Sequence, residues 1–75
     1  MSMEIIVNKM CEVFKVSPNC LQVKSEYNDY EIILNASDYT IYVSLDYVSI
    51  SATNATLKAN PQLMTQVDTI QSFLN

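Results

Sequence analysis

Apolar residues recur at helical spacing at both ends of the chain and alternate with polar residues in between. Met3, Ile6, Val7, Met10, Val13 and Phe14 fall on one helical face, with Glu4, Asn8, Glu12 and Lys15 opposite. Ser2 stands where an N-cap is needed, and Pro18 disfavours helical geometry at Ser17, so the spacing predicts a helix over roughly 3–15. Near the other end, Leu63, Val67, Ile70 and Leu74 form a second stripe flanked by Met64. Asn60-Pro61 reads as an N-cap followed by proline at the first helical position, which predicts a helix over about 61–74. The "TNATLKAN" stretch before it reads as a connector with room for a helical turn.

Between the helices the period changes to two. Leu21, Val23 and Tyr27 share one parity, and Tyr30, Ile32 and Leu34 the other. A two-residue turn at Asn28-Asp29 reconciles them, pairing Tyr27 with Tyr30, Ser25 with Ile32 and Val23 with Leu34. Asn and Asp tolerate positive φ better than most residues. A second turn at Ser37-Asp38 pairs Ala36 with Tyr39, Leu34 with Ile41 and Ile32 with Val43, which keeps the same face apolar.

In "YTIYVSLDYVSISA" the alternation slips by one at Asp46 and Tyr47. A third turn there would pair Leu45 with Val48 and Val43 with Ile50. A bulge at Asp46 would restore parity within one long strand. Tyrosine at positive φ counts against the turn. A strand of about fifteen residues counts more heavily against the bulge. The expectation is an α+β two-layer domain over residues 1–75, in the order α-β-β-β-(β)-α, with both helices on one face of an antiparallel meander.

That order resembles the double-stranded-RNA-binding domain, in which two helices pack on one face of a three-stranded sheet. The family holds phosphate with a basic cluster at the start of its second helix. Here the matching stretch, "NPQLMTQVD", has no Lys or Arg. The order is also similar to that of some small acidic anti-CRISPR proteins of phages. No residue motif accompanies either similarity, and no family is assigned.

Composition removes several chemistries. The chain of 75 residues has no Gly, no His and no Arg. Without Gly there is no phosphate loop, dinucleotide fingerprint or nucleophile elbow. Without His the commonest general base and metal ligand is missing. Nucleophiles are present, yet only carboxylates and four lysines could activate them, in no recognisable constellation, so no enzyme is expected. The net charge of −4 disfavours direct nucleic-acid binding, which depends on cations neutralising phosphates. No metal or cofactor is expected. No apolar run reaches the roughly 18 residues of a membrane helix. The "MSMEIIVNKM" start lacks signal-peptide features, so a cytoplasmic protein of the producing cell or a host is expected. Cys11 and Cys20 are expected as reduced thiols.

Two surfaces attract attention. The outer sheet face should carry Ile33 directly opposite Tyr42, with Lys24 and Ser51 extending the row, inside a polar border. At one end of the sheet the first and third turns should bring Glu26, Asp29, Glu31 and Asp46 together, with Glu26 opposite Glu31. Like charges so placed invite a compensating partner, either a basic protein surface or a divalent cation. The expected function is a small acidic protein-binding module acting by stoichiometric contact on a protein with a basic surface. A phage-type inhibitor of a host or defence protein is its most concrete form. The alternatives are a homodimeric assembly subunit, paired through the unblocked last strand "YVSISAT", and a secretion-type chaperone.

Overall fold

The computed structural model describes residues 2–27 and 29–75. Helix α1 (Met3–Phe14) begins where Ser2 Oγ accepts the Ile5 N–H, as its capping role requires. It ends at Lys15, whose φ of 57° turns the chain so that the Val16 N–H reaches the Cys11 carbonyl at 3.2 Å. In a chain without glycine, a lysine takes that left-handed position. A 3₁₀ turn, Pro18–Cys20, leads into β1 (Leu21–Glu26). Strands β2 (Asp29–Asn35), β3 (Tyr39–Val43) and β4 (Val48–Ala52) follow in a four-stranded antiparallel meander of order β1-β2-β3-β4.

The short helix α2 (Asn54–Ala59) is the connector's helical turn. It is capped by Thr53 Oγ1, which accepts the Thr56 N–H at 3.1 Å. Helix α3 (Gln62–Leu74) closes the described chain. Asn60 does not cap it through a side chain. Its Nδ2 donates backwards to the Thr56 carbonyl at 2.9 Å, so it finishes α2 instead.

The predicted facing of the sheet holds, and two registers differ from expectation by two residues each. Val23 pairs with Ile32 and Leu21 with Leu34, where Val23–Leu34 was predicted. The observed register sets apolar residues against each other and places Lys24 opposite Glu31. The predicted one would have opposed Glu26 to Glu31. A slip of two leaves every side chain on its original face. The Asn28 half of the predicted first turn lies outside the described residues. Tyr27 is not the inner-face partner of Tyr30. It sits past the end of β1 with a φ of 57° and is 96 % exposed, a conformation that costs about 1–3 kcal/mol.

The slip at Asp46 is a turn, not a bulge. Val43 pairs with Val48 and Ile41 with Ile50, and the Ser44 N–H donates to the Tyr47 carbonyl at 2.9 Å. The turn therefore centres on Leu45 and Asp46, and neither these nor Tyr47 has positive φ. The Gln71 carboxamide of α3 steadies it, Oε1 accepting from the Val48 N–H and Nε2 donating to the Asp46 carbonyl, both at 3.1 Å.

Val23, Ile32, Val43 and Val48 thus form one cross-strand row on the inner face. Ile32, Leu34, Ile41 and Val43 meet Ile6, Met10 and Phe14 of α1 and Val67 and Ile70 of α3 in a single buried cluster. Full burial of such side chains contributes about 1.5–3 kcal/mol each. Both α1 and α3 lie on this side, and the other face is left to its own side chains.

Candidate functional site: an acidic notch at one end of the sheet

The β1–β2 hairpin is longer than its neighbour. Its last pair with β3 is Ile32–Val43, so Asp29, Tyr30 and Glu31 project past the point where β3 ends. The β3–β4 turn curls back beside them. A notch results, an open depression of about 530 Å³. Lys24, Ser25 and Glu26 of β1 and Asp29, Tyr30 and Glu31 of β2 form one wall; Ser44, Leu45, Asp46 and Tyr47 form the other.

The hydrogen-bond ladder explains part of its chemistry. The Ala36 N–H donates to the Tyr39 carbonyl, so the even-numbered residues of β2 direct their backbone groups toward β3. Tyr30 therefore directs its N–H into the gap where β3 has ended. Asp29 Oδ1 accepts it at 2.8 Å, a side-chain substitute for the missing strand. The next wall residue, Glu31, is half-buried, whereas Glu26 and Asp46 are exposed.

Two of the lining residues, Tyr30 and Ser44, carry hydroxyls that lie below the accessible surface without a partner, that of Tyr30 on a side chain packed against the core. Ser44 is only 7 % exposed, and neither its Oγ nor the buried Oη of Tyr30 makes a hydrogen bond. Buried polar groups without partners are uncommon and cost about 1–3 kcal/mol each. Burial, and secondarily the Asp29 carboxylate, raises the Tyr30 phenol above its ordinary range, so Tyr30 keeps its proton.

The expected acidic group is thus assembled, since Glu26, Asp29, Glu31 and Asp46 all line one cavity. Two details are corrected. Glu26 stands opposite Asp29, not Glu31, and Lys24 faces Glu31 at the notch and does not extend the Ile33–Tyr42 row. That outer row runs Gln22, Ile33, Tyr42, Ser49. Ile33 and Tyr42 are opposite as expected, yet Ile33 is 6 % exposed, flanked by Gln22 and Tyr42 on a face that neither α1 nor α3 covers. Ile33 therefore offers little contact area, and half-buried Tyr42 is the accessible member of the pair.

Among the described residues the one ion pair is Lys9 with Glu12 at 3.4 Å, within α1, and neither residue lines the notch. No group of three or more of the described Asp, Glu and Cys side chains is placed to hold a metal ion. Cys11 and Cys20 are both free thiols. No described helix is long and apolar enough to cross a membrane. The edge of β4, the expected route to a homodimer, is bridged at Val48 by Gln71.

Sequence reasoning missed Ser25, Tyr30, Ser44, Leu45 and Tyr47 as residues that line this site. The first two were read as inner-face residues. The last three fall in the segment whose register was open between turn and bulge. Their signal was the local density of tyrosine beside carboxylates. Comparison of the chain with models of protein families, with curated proteins and with solved structures yields no match. The similarity to the RNA-binding domain and to small phage inhibitors is one of element order alone.

Proposed function

We propose that the chain is a small acidic protein-binding module that acts by stoichiometric contact through the notch and the adjoining outer sheet face. The observation that carries this reading is the convergence of Glu26, Asp29, Glu31 and Asp46 on one cavity beside exposed aromatic and aliphatic side chains. Tyr27 is 96 % exposed at the hairpin tip, and Tyr47 and Leu45 are 51 % and 46 % exposed at the facing turn. Exposed aromatics around a charged depression are the make-up of interaction hot spots. Tyr27 is moreover held in a costly backbone conformation, as residues serving a contact often are. The chain's net charge of −4 complements a basic partner surface and steers its approach.

In its most concrete form the module is an inhibitor, of phage type, that occupies the basic surface of a host or defence protein in the cytoplasm. The homodimer reading ranks below it, because Gln71 bridges one end of the β4 edge on which pairing would depend, and the chaperone reading has no observation of its own.

The test is affinity capture from the native cell or its host with the intact chain, repeated with Tyr42→Ala. Tyr42 is half-buried on the face away from α1 and α3, so the variant should stay folded, as the circular dichroism spectrum will report. A stoichiometric partner retained by the wild type and weakened about tenfold by the variant is the expected result, the loss of one hot-spot aromatic. Capture unaltered by Tyr42→Ala would remove the outer face from the contact. Absence of any stoichiometric partner would remove the reading itself.

A further inference from the structure

We propose that the free edge of β1 pairs with β1 of a second copy of the chain, antiparallel about a two-fold axis at Val23, whatever the notch binds. The phase of the ladder fixes which groups that edge offers. Because the even-numbered residues of β2 point their backbone groups at β3, its odd-numbered residues point theirs at β1, where Gln22, Lys24 and Glu26 meet them. Leu21, Val23 and Ser25 therefore turn their backbone groups outward. The Leu21 N–H is taken by the Pro18 carbonyl, while those of Val23 and Ser25 have no partner among the described residues. Nothing blunts this edge: β1 contains no proline and pairs with β2 without a bulge from Leu21 to Glu26. The β4 edge differs, since Gln71 holds the Val48 N–H.

A second copy fits because the free groups are symmetric about Val23. With Val23 opposite its counterpart, the two residues exchange N–H and C=O groups, and each Ser25 N–H reaches the Leu21 carbonyl of the other copy. Every free donor of the edge then has an acceptor. Val23 faces the helix layer, yet it is 42 % exposed and stands outside the buried cluster. That bare margin gives a copy room to approach, and the two Val23 side chains cover each other. Other registers are worse. Setting Val23 opposite Ser25 puts the two Lys24 ammonium groups face to face. A further shift toward the hairpin tip makes Tyr27, at a φ of 57°, a strand residue, and a shift the other way sets Ser25 against the 3₁₀ turn. The Val23 register joins two four-stranded sheets into one and leaves the two notches at its opposite ends. One strand pair is a small interface, so the dimer should be half-formed at on the order of 100 µM.

The experiment is sedimentation velocity on the intact chain up to millimolar concentration, at about 0.15 M salt to screen repulsion between copies. Amide hydrogen exchange is followed at the same concentrations. A monomer–dimer equilibrium should appear, with the Val23 and Ser25 amides slowing as the dimer forms. Ser25→Pro removes an N–H that faces away from β2, a position where an edge strand tolerates proline, and should weaken association at least about tenfold. Exposed Gln22 faces Lys24 of the copy, so Gln22→Glu should tighten the dimer about fivefold and Gln22→Lys loosen it by as much. Net charge alone would act in the opposite sense, and these exposed substitutions keep the test open should Ser25→Pro fail to fold.

A chain that stays monomeric to millimolar concentration overturns the pairing. So does a dimer that protects Ile50 and Ala52 of β4 instead, or one indifferent to a folded Ser25→Pro. Effects of the two Gln22 variants that follow net charge overturn the register. Protection of Val23 and Ser25 only when the captured partner is added would give the edge to a partner segment and overturn the second copy.

Discussion

Ile41→Ala lowers the free energy of unfolding by about 2–5 kcal/mol, the cost of emptying a fully enclosed aliphatic site. Ile41 is 0 % exposed, stands between Leu34 and Ile50 across the sheet, and belongs to the cluster closed by α1 and α3. A domain of 75 residues has a total stability of about 4–11 kcal/mol, so this one truncation removes a large share of it. Urea melts followed by circular dichroism will read the difference. Ser49→Ala, on an exposed position of the opposite face, should change stability by no more than about 0.5 kcal/mol and serves as the matched comparison. Equal effects at the two positions would mean that the sheet does not present its faces as described.

The second large effect is on association. Glu26→Gln, Glu31→Gln and Asp46→Asn together remove three of the four carboxylates that line the notch. Steering by a charged depression raises on-rates by about 10–10³-fold at low salt. The triple variant should therefore associate with the captured partner at least about tenfold more slowly in dilute buffer. The gap should narrow as salt is added, because screening shortens the reach of the same field. Glu26 and Asp46 are exposed and Glu31 is half-buried, and none of the three side chains makes a described hydrogen bond or ion pair, so the substitutions should leave the fold in place. Stopped-flow or biolayer interferometry measures the rate directly. A variant as fast as the wild type at low salt would remove electrostatic steering from the account.

The alternation of Ile32, Leu34, Ile41 and Val43 was enough to read the sheet's faces, because a wrong parity would expose all four. The helices were equally legible from the Ile6–Met10–Phe14 and Leu63–Val67–Ile70 stripes. Registers were not. Two candidate alignments differing by two residues keep every side chain on its face, and turn preference favoured Asn and Asp at the tip. Cross-strand pairing decided otherwise, setting Val23 on Ile32 and Lys24 on Glu31 and leaving Tyr27 at positive φ. The acidic end was foreseen because two turns at one end of a meander must bring their residues together. The cavity between them was not. It depends on β2 running past the end of β3, a difference in strand length that alternation cannot express. Ile33 shows the opposite limit, because its place on the outer face was right and its burial came from neighbours that pattern alone does not weigh.

The most direct test of the notch as the contact surface is an amide NMR map of the intact chain bound to the captured partner. The account predicts that Tyr27, Tyr30, Glu31, Ser44 and Asp46 shift or broaden, while exposed helix positions such as Glu12 and Asp68 stay where they were. Perturbations centred on α1 and α3, with the hairpin end undisturbed, would contradict it.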